Sequence, residues 1–288
     1  MNISPSTLQL TYTTKNGSYL EYNKIEMMFI LIFPALIGWL SGWVVNYLAD
    51  TLPLTRRFSR PACSQCGSEY PIGVYLLFQP CEQCGHRRGL RPWIIQLIMV
   101  VLSLYTWINP HRMGYALGMV LLTYYAVVFF IDIQYRLILH PTSIFGAVLG
   151  LGLGTWLHGF IATLLGGLAG LAIMLVLYFF GTLFSKFRAR RMRAAGQEAD
   201  EEEALGAGDV ILAGVLGLII GWPFIWFSLL LGILLGGIVG ILLVLYLVIT
   251  KKYGSQAFMV FMPYGPFFIA SAFFIMFVPN WIIAVVPK

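Results

Sequence analysis

Two carboxylates and four thiols carry the reactive chemistry of this chain. Asp132 closes the apolar run Met119–Ile131, and Asp209 closes the tetrad Gly206-Ala207-Gly208-Asp209 and opens the apolar run Val210–Gly221. An ionisable group at the edge of hydrocarbon is costly, so by default it marks function. Two carboxyl groups that share one proton can activate water. The ionised group takes a proton from the water while the neutral one polarises a scissile carbonyl. Gly206 and Gly208 let the backbone turn sharply beside Asp209, with no side chain to block a close approach. The bland alternatives are an Asp132–Arg136 ion pair and an Asp209 helix cap. Either suffices for one aspartate alone; the two together, with the tetrad, favour catalysis.

The thiols form a second constellation, Cys63-x2-Cys66 and Cys81-x2-Cys84, separated by fourteen residues. Two such knuckles supply four thiolates for a tetrahedral Zn²⁺. Four cysteines leave no open coordination position, so the expected metal is structural. Gly67 and Gly85 each follow the second cysteine of a knuckle, where a tight turn needs a permissive backbone. His86 is a neighbour of the set, and a disulfide or redox pair is the competing reading.

The elements that must position these groups are apolar. The chain has 288 residues, 59% hydrophobic and 10% charged, which excludes an ordinary soluble domain. Apolar stretches recur at about 27–49, 93–109, 113–131, 143–159, 161–184, 207–222, 224–250 and 262–285, most of them long enough to cross a bilayer. The expected fold is an all-α membrane protein with about eight transmembrane helices and a cytoplasmic zinc-ribbon-like loop. The expected division is a polar external segment 1–26, a first span 27–52, a cysteine loop 53–92 and a polytopic domain 93–288 containing a linker 185–206. Residues 1–26 are polar and are not read as a signal peptide.

Charge sets the expected orientation. Fourteen of the eighteen Lys and Arg residues fall in alternate loops: Arg56–Arg91, Arg136, Lys186–Arg193 and Lys251–Lys252. Basic residues crowd cytoplasmic loops, so both termini are expected outside, with the cysteine loop and the linker in the cytoplasm. Asp132 and Asp209 then share the cytoplasmic face. A reducing compartment favours zinc over a disulfide. The net charge of +6 is mainly a topology signal, and nucleic acid is not an expected partner. Glu198–Glu203 reads as a solvated stretch of linker.

The ordered set of motifs resembles the type IV prepilin peptidases, members of the GxGD class of intramembrane aspartyl proteases. Asn46–Pro53 (NYLADTLP) resembles the family's first signature, and the four-cysteine loop matches in spacing and position. Ile131-Asp132-Ile133 with Arg136-Leu137-Ile138 resembles the first aspartate motif. Gly206-x-Gly208-Asp209-Val210, with Ala213, Gly217 and Gly221-Trp222, resembles the second. The resemblance implies a bacterial inner-membrane endopeptidase that removes the basic leader of type IV prepilins or type II secretion pseudopilins at the cytoplasmic face. Asp132 and Asp209 would be its catalytic pair. Many members also methylate the new N-terminus from S-adenosylmethionine, an activity associated with the region around the zinc loop.

The chain departs from that pattern at several positions. Leu139-His140 replaces Pro followed by Asp or Asn, Ile211 replaces a lysine, Gln96 replaces a glutamate, and Thr51 replaces an arginine. Gln96 and Thr51 flank the cysteine loop and bear on methyl transfer. Pro263, Gly265 and Pro266 could shape a broken helix near the active site. Two other classes of function compete: a catalytically silent membrane scaffold that binds pilin precursors, and a proton-coupled transporter. The placement of both aspartates at one face, away from the midplane, argues against the transporter.

Overall fold

The computed structural model describes residues 11–13, 19–21, 24–110, 112–194, 206–250 and 263–278. Glu198–Glu203, Lys251–Lys252 and the end of the expected last span lie outside them. Nine helices are present among the described residues: α1 (Lys24–Thr55), α2 (Ile72–Leu76), α3 (Arg91–Ile108), α4 (Gly114–Tyr135), α5 (His140–His158), α6 (Phe160–Ala194), α7 (Ala207–Ile220), α8 (Ile225–Ile249) and α9 (Gly265–Phe277). A small antiparallel ribbon, β1 (Thr11–Thr13) with β2 (Tyr19–Glu21), pairs Thr11 with Glu21.

Among the described residues, each of the eight expected apolar runs falls on a helix over most of its described length, and α2 lies in the cysteine loop. Among the described residues, five helices are long and apolar enough to cross a membrane: α1, α3, α4, α6 and α8. The protein is a multi-pass membrane protein. α7 and α9 are shorter, at 14 and 13 residues.

The chain divides into two compact units, 1–46 with 63–119 and 47–62 with 120–288. In the first, α1 and α3 meet at Gly38, where an added Cβ would lie 2.7 Å from Val100 Cα. Ser103 Oγ hydrogen-bonds the Pro34 carbonyl at 2.5 Å and the Tyr115 hydroxyl at 2.7 Å. A hydroxyl inside an apolar helix pair needs such partners.

In the second unit, α7 is the central element, packed chiefly against α6 and α5 and also against α9. Most of it is buried, from Val210 to Ile220. Small residues permit this. A Cβ on Gly166 would collide with the Gly217 carbonyl, and one on Gly170 with the Ala213 carbonyl. The two backbones therefore touch directly, the packing mode open to helices in lipid. The outer faces of α6 and α8 stay apolar and exposed, as at Val176, Phe180 and Ile241.

Candidate active site

Asp132 occupies the last turn of α4. Arg136 ends that helix with φ +52°, and its N–H donates to the Asp132 carbonyl at 2.8 Å. Residues 136–139 then lead directly into α5, whose start is tied down by Thr142 and Ser143, both donating to the Leu139 carbonyl. The Asp132 side chain is buried, 4% exposed. Its Oδ2 has no hydrogen-bond partner among the described residues, so Arg136 does not satisfy it. Instead Oδ2 abuts Gly265, the first residue of α9.

Asp209 sits in the first turn of α7. The helix N-cap is Gly206, with no side-chain cap bond, so Asp209 is not the capping residue. Its N–H donates to the Gly206 carbonyl at 3.0 Å. Its carboxyl folds back toward Gly206, where an added Cβ would lie 3.6 Å from Oδ2. Gly208 has a different task. Its missing side chain leaves room for Ile138, whose Cβ would stand 3.0 Å from a Cβ at 208. The loop after Asp132 thus seats on the loop before Asp209. The two carboxyls come close enough for their charges to interact.

The cysteines form a separate centre in the first unit. Their four Sγ atoms lie within 4.8 Å of one another. Cys63 and Cys84 are 3.6 Å apart across the knuckles, as are Cys66 and Cys81. A tetrahedron of thiolates at the Zn–S distance of 2.3 Å has edges of about 3.8 Å, so the donor set fits zinc. Both knuckles repeat one turn. Gly67 N–H donates to Cys63 O, Gly85 N–H to Cys81 O, Cys63 N–H to Ser68 O and Cys81 N–H to His86 O, all at 2.8–2.9 Å. Gly67 and Gly85 take φ +72° and +68°, which favours glycine at both. The backbone amides of Cys66 and Gln65 lower the Cys63 thiol to about 6, toward the thiolate that a metal requires.

Comparisons with known proteins bear on the stretch that carries the two aspartates. Residues 119–241, which include both aspartates, match the model of the type IV leader peptidase family. The chain is also 25% identical over 227 residues to a protein of Myxococcus xanthus (strain DK1622) named prepilin leader peptidase/N-methyltransferase. That match covers 74% of this chain and 63% of the relative. No solved structure matches.

The departures from the prepilin peptidase pattern now have surroundings. His140 and Ile211 line one cleft of about 510 Å³ together with side chains of α5, α6 and α7. Gln96 is buried in the first unit; its Nε2 donates to the Trp39 carbonyl at 3.1 Å, and its Oε1 packs against Gly42 without a hydrogen-bond partner. A neutral amide suits that dry position better than a carboxylate. Thr51 donates back to the Tyr47 carbonyl at 2.7 Å. Asn46 of the first signature donates to Gly42 O at 3.0 Å and Pro92 O at 3.3 Å, tying α1 to the start of α3.

Sequence reasoning counted Arg88 only as a topology charge. Its guanidinium lies 3.9 Å from the Tyr75 ring centroid, 5.2 Å from Phe78 and 5.6 Å from Tyr70, and it bonds the Tyr75 carbonyl. This cation–π box anchors α2 to the second knuckle. The available signal was three aromatics within nine residues of a cysteine-bounded loop.

Proposed function

We propose that the protein is an aspartyl endopeptidase of the prepilin-processing kind, with Asp132 and Asp209 as its catalytic pair. The observation that supports this most is the meeting of the two motifs: Ile138 seated on Gly208, and two carboxyls within electrostatic reach of each other. Two such groups cannot both ionise freely, and their titration belongs to the pair. The ionised member accepts a proton from water as the water attacks the scissile carbonyl. The neutral member donates to the carbonyl oxygen, and the proton returns to the leaving amine as the tetrahedral intermediate collapses. Either aspartate can hold either role.

The proposed topology has eight crossings, with α5, α7 and α9 completing the five long helices, and with both termini external. The site then faces the cytoplasm, and the substrate is a prepilin or pseudopilin carrying a basic leader. Single-cysteine labels at Gln197 and Gly254 should read cytoplasmic, and labels at Ser18 external. Zinc held by Cys63, Cys66, Cys81 and Cys84 would cross-link two segments of the loop and supply no open coordination site. Methyl transfer from S-adenosylmethionine is proposed to be weak, because neutral Gln96 replaces a carboxylate.

The test is co-expression with candidate prepilins, read by product mass. Leader loss with the wild type and its absence with Asp132→Asn and Asp209→Asn are the expected results. A variant that inserts normally and still processes would sink the catalytic assignment. A silent scaffold would leave the precursor uncut by the wild type too, yet co-purify with it.

A further inference from the structure

The start of α9 stands against Asp132 in a way that neither aspartate motif explains. Gly265 and Pro266 are buried at its first turn, and Tyr264 is the N-cap. A Cβ on Gly265 would collide with Asp132 Oδ2, lie 3.1 Å from its Cγ and 3.5 Å from Leu212 Cδ2. The backbone does not call for glycine here. Gly265 is absent from the positive-φ residues, and a helix start accepts most side chains without strain. The demand comes from Asp132, whose Oδ2 is buried and has no hydrogen-bond partner among the described residues.

α9 cannot retreat to make room. On its other side a Cβ at Gly232 of α8 would lie 2.5 Å from Phe268 Cδ1, and one at Gly236 would lie 3.2 Å from Tyr264 Cε1. Ser228 and Ser271 hydrogen-bond between α8 and α9 at 3.1 Å, both buried. The first turn of α9 is therefore held between α8 and the site. Any group added at 265 must be taken up by Asp132.

We propose that Gly265 is a positioning residue for Asp132, and that the first turn of α9 is a third structural part of the site beside the two aspartate motifs. This rests on the peptidase reading above. Gly265 has no side chain with which to bond the carboxyl. Its bare Cα is the wall that fixes the rotation of the Asp132 carboxyl, and so the face that carboxyl offers Asp209.

The test is Gly265→Ala in the full-length membrane protein. With an uncleaved prepilin as substrate, kcat should fall at least 100-fold while KM stays within twofold. The pH profile of the residual activity should be displaced, because the coupling between the two carboxyls has changed. Gly237→Ala on α8, where none of the described residues lies within 4 Å of the added carbon, should keep the wild-type kcat. A stability cycle reads the same contact without activity. Gly265→Ala should lower the thermal midpoint of the wild type but not that of Asp132→Ala, whose missing carboxyl leaves space for the new methyl. If Gly265→Ala alone does not accumulate, recovery of the double variant supports the proposal and its failure overturns it. An unchanged kcat, or equal destabilisation in both backgrounds, also overturns it. A wild type that does not process prepilin defeats the peptidase reading and leaves the stability cycle to be scored by itself.

Discussion

The cysteine centre and the aspartate site are built in opposite ways. The four thiols come from one loop, and each knuckle is closed by hydrogen bonds between residues at most five apart. Local turns do nearly all the positioning, and a metal would fasten two preformed halves. The aspartates come from the ends of two helices far apart in the chain. They meet because α7 packs against its neighbours with backbone touching backbone, and because Ile138 fits over Gly208. A site of the first kind fails locally when one ligand is lost. A site of the second kind depends on side chains that are absent, at glycines distributed over several helices.

The sharpest break is at the carboxylates. Asp132→Asn and Asp209→Asn should each lower the processing rate by about 10⁴-fold, the upper range for general acid–base catalysis. The double variant should be no worse than either single one, because members of a catalytic unit are strongly non-additive. Additive losses in single-turnover assays would show two independent groups instead of a pair.

The metal centre should break without that global loss. Purified protein is expected to carry about one zinc per chain by mass spectrometry of the elements. Cys63→Ser with Cys66→Ser should abolish it and expose residues 63–88 to limited proteolysis, since metal binding and local folding are coupled. Processing should change less than tenfold. A zinc-free wild type, or a thiol count showing disulfides in the cytoplasmic state, would remove this half of the comparison.

Glycine substitutions sharpen the contrast. Gly166→Leu must force α6 from α7, and overpacking of this kind costs about 1–3 kcal/mol. Denaturation in detergent should show that loss together with reduced processing. Gly73→Ala, in the cysteine loop with nothing within 4 Å, should alter neither. The smallest expected effect concerns Gln96. A carboxylate there would attract a sulfonium cation by about 1–4 kcal/mol, so the wild type should transfer little label from S-adenosylmethionine to processed pilin, and Gln96→Glu should transfer more. Stoichiometric labelling by the wild type would show that the substitution is immaterial.

These differences also decide what could be read from sequence. Spacing alone identified the cysteine set, because its geometry is local. The aspartates were legible through their position at the ends of apolar runs and through the glycines before Asp209. The role of Gly208 was not, because the side chain it makes room for, Ile138, comes from the other motif. The collision between position 265 and Asp132 was likewise invisible, since it depends on how α9 is pressed by α8. Helix ends were misjudged for a different reason. α6 continues to Ala194, ten residues past the apolar run, because Lys, Arg, Ala and Met are strong helix formers whatever their polarity. α1 continues through Pro53 to Thr55, although proline removes a backbone donor.

The shortness of α7 has a mechanical meaning. Fourteen residues make a rod of about 21 Å, against a hydrocarbon layer of about 30 Å. Lipid has little of it to grip, since its neighbours cover most of its length. α6, with 35 residues and about 52 Å of length, presents Val176, Phe180 and Leu183 to the surroundings and takes the force of a thicker or thinner bilayer. Because the backbones of the two helices are interlocked at Gly166 and Gly170, α7 travels as a passenger when α6 tilts. Bilayer thickness can therefore raise or lower Asp209 relative to the leaflet surface.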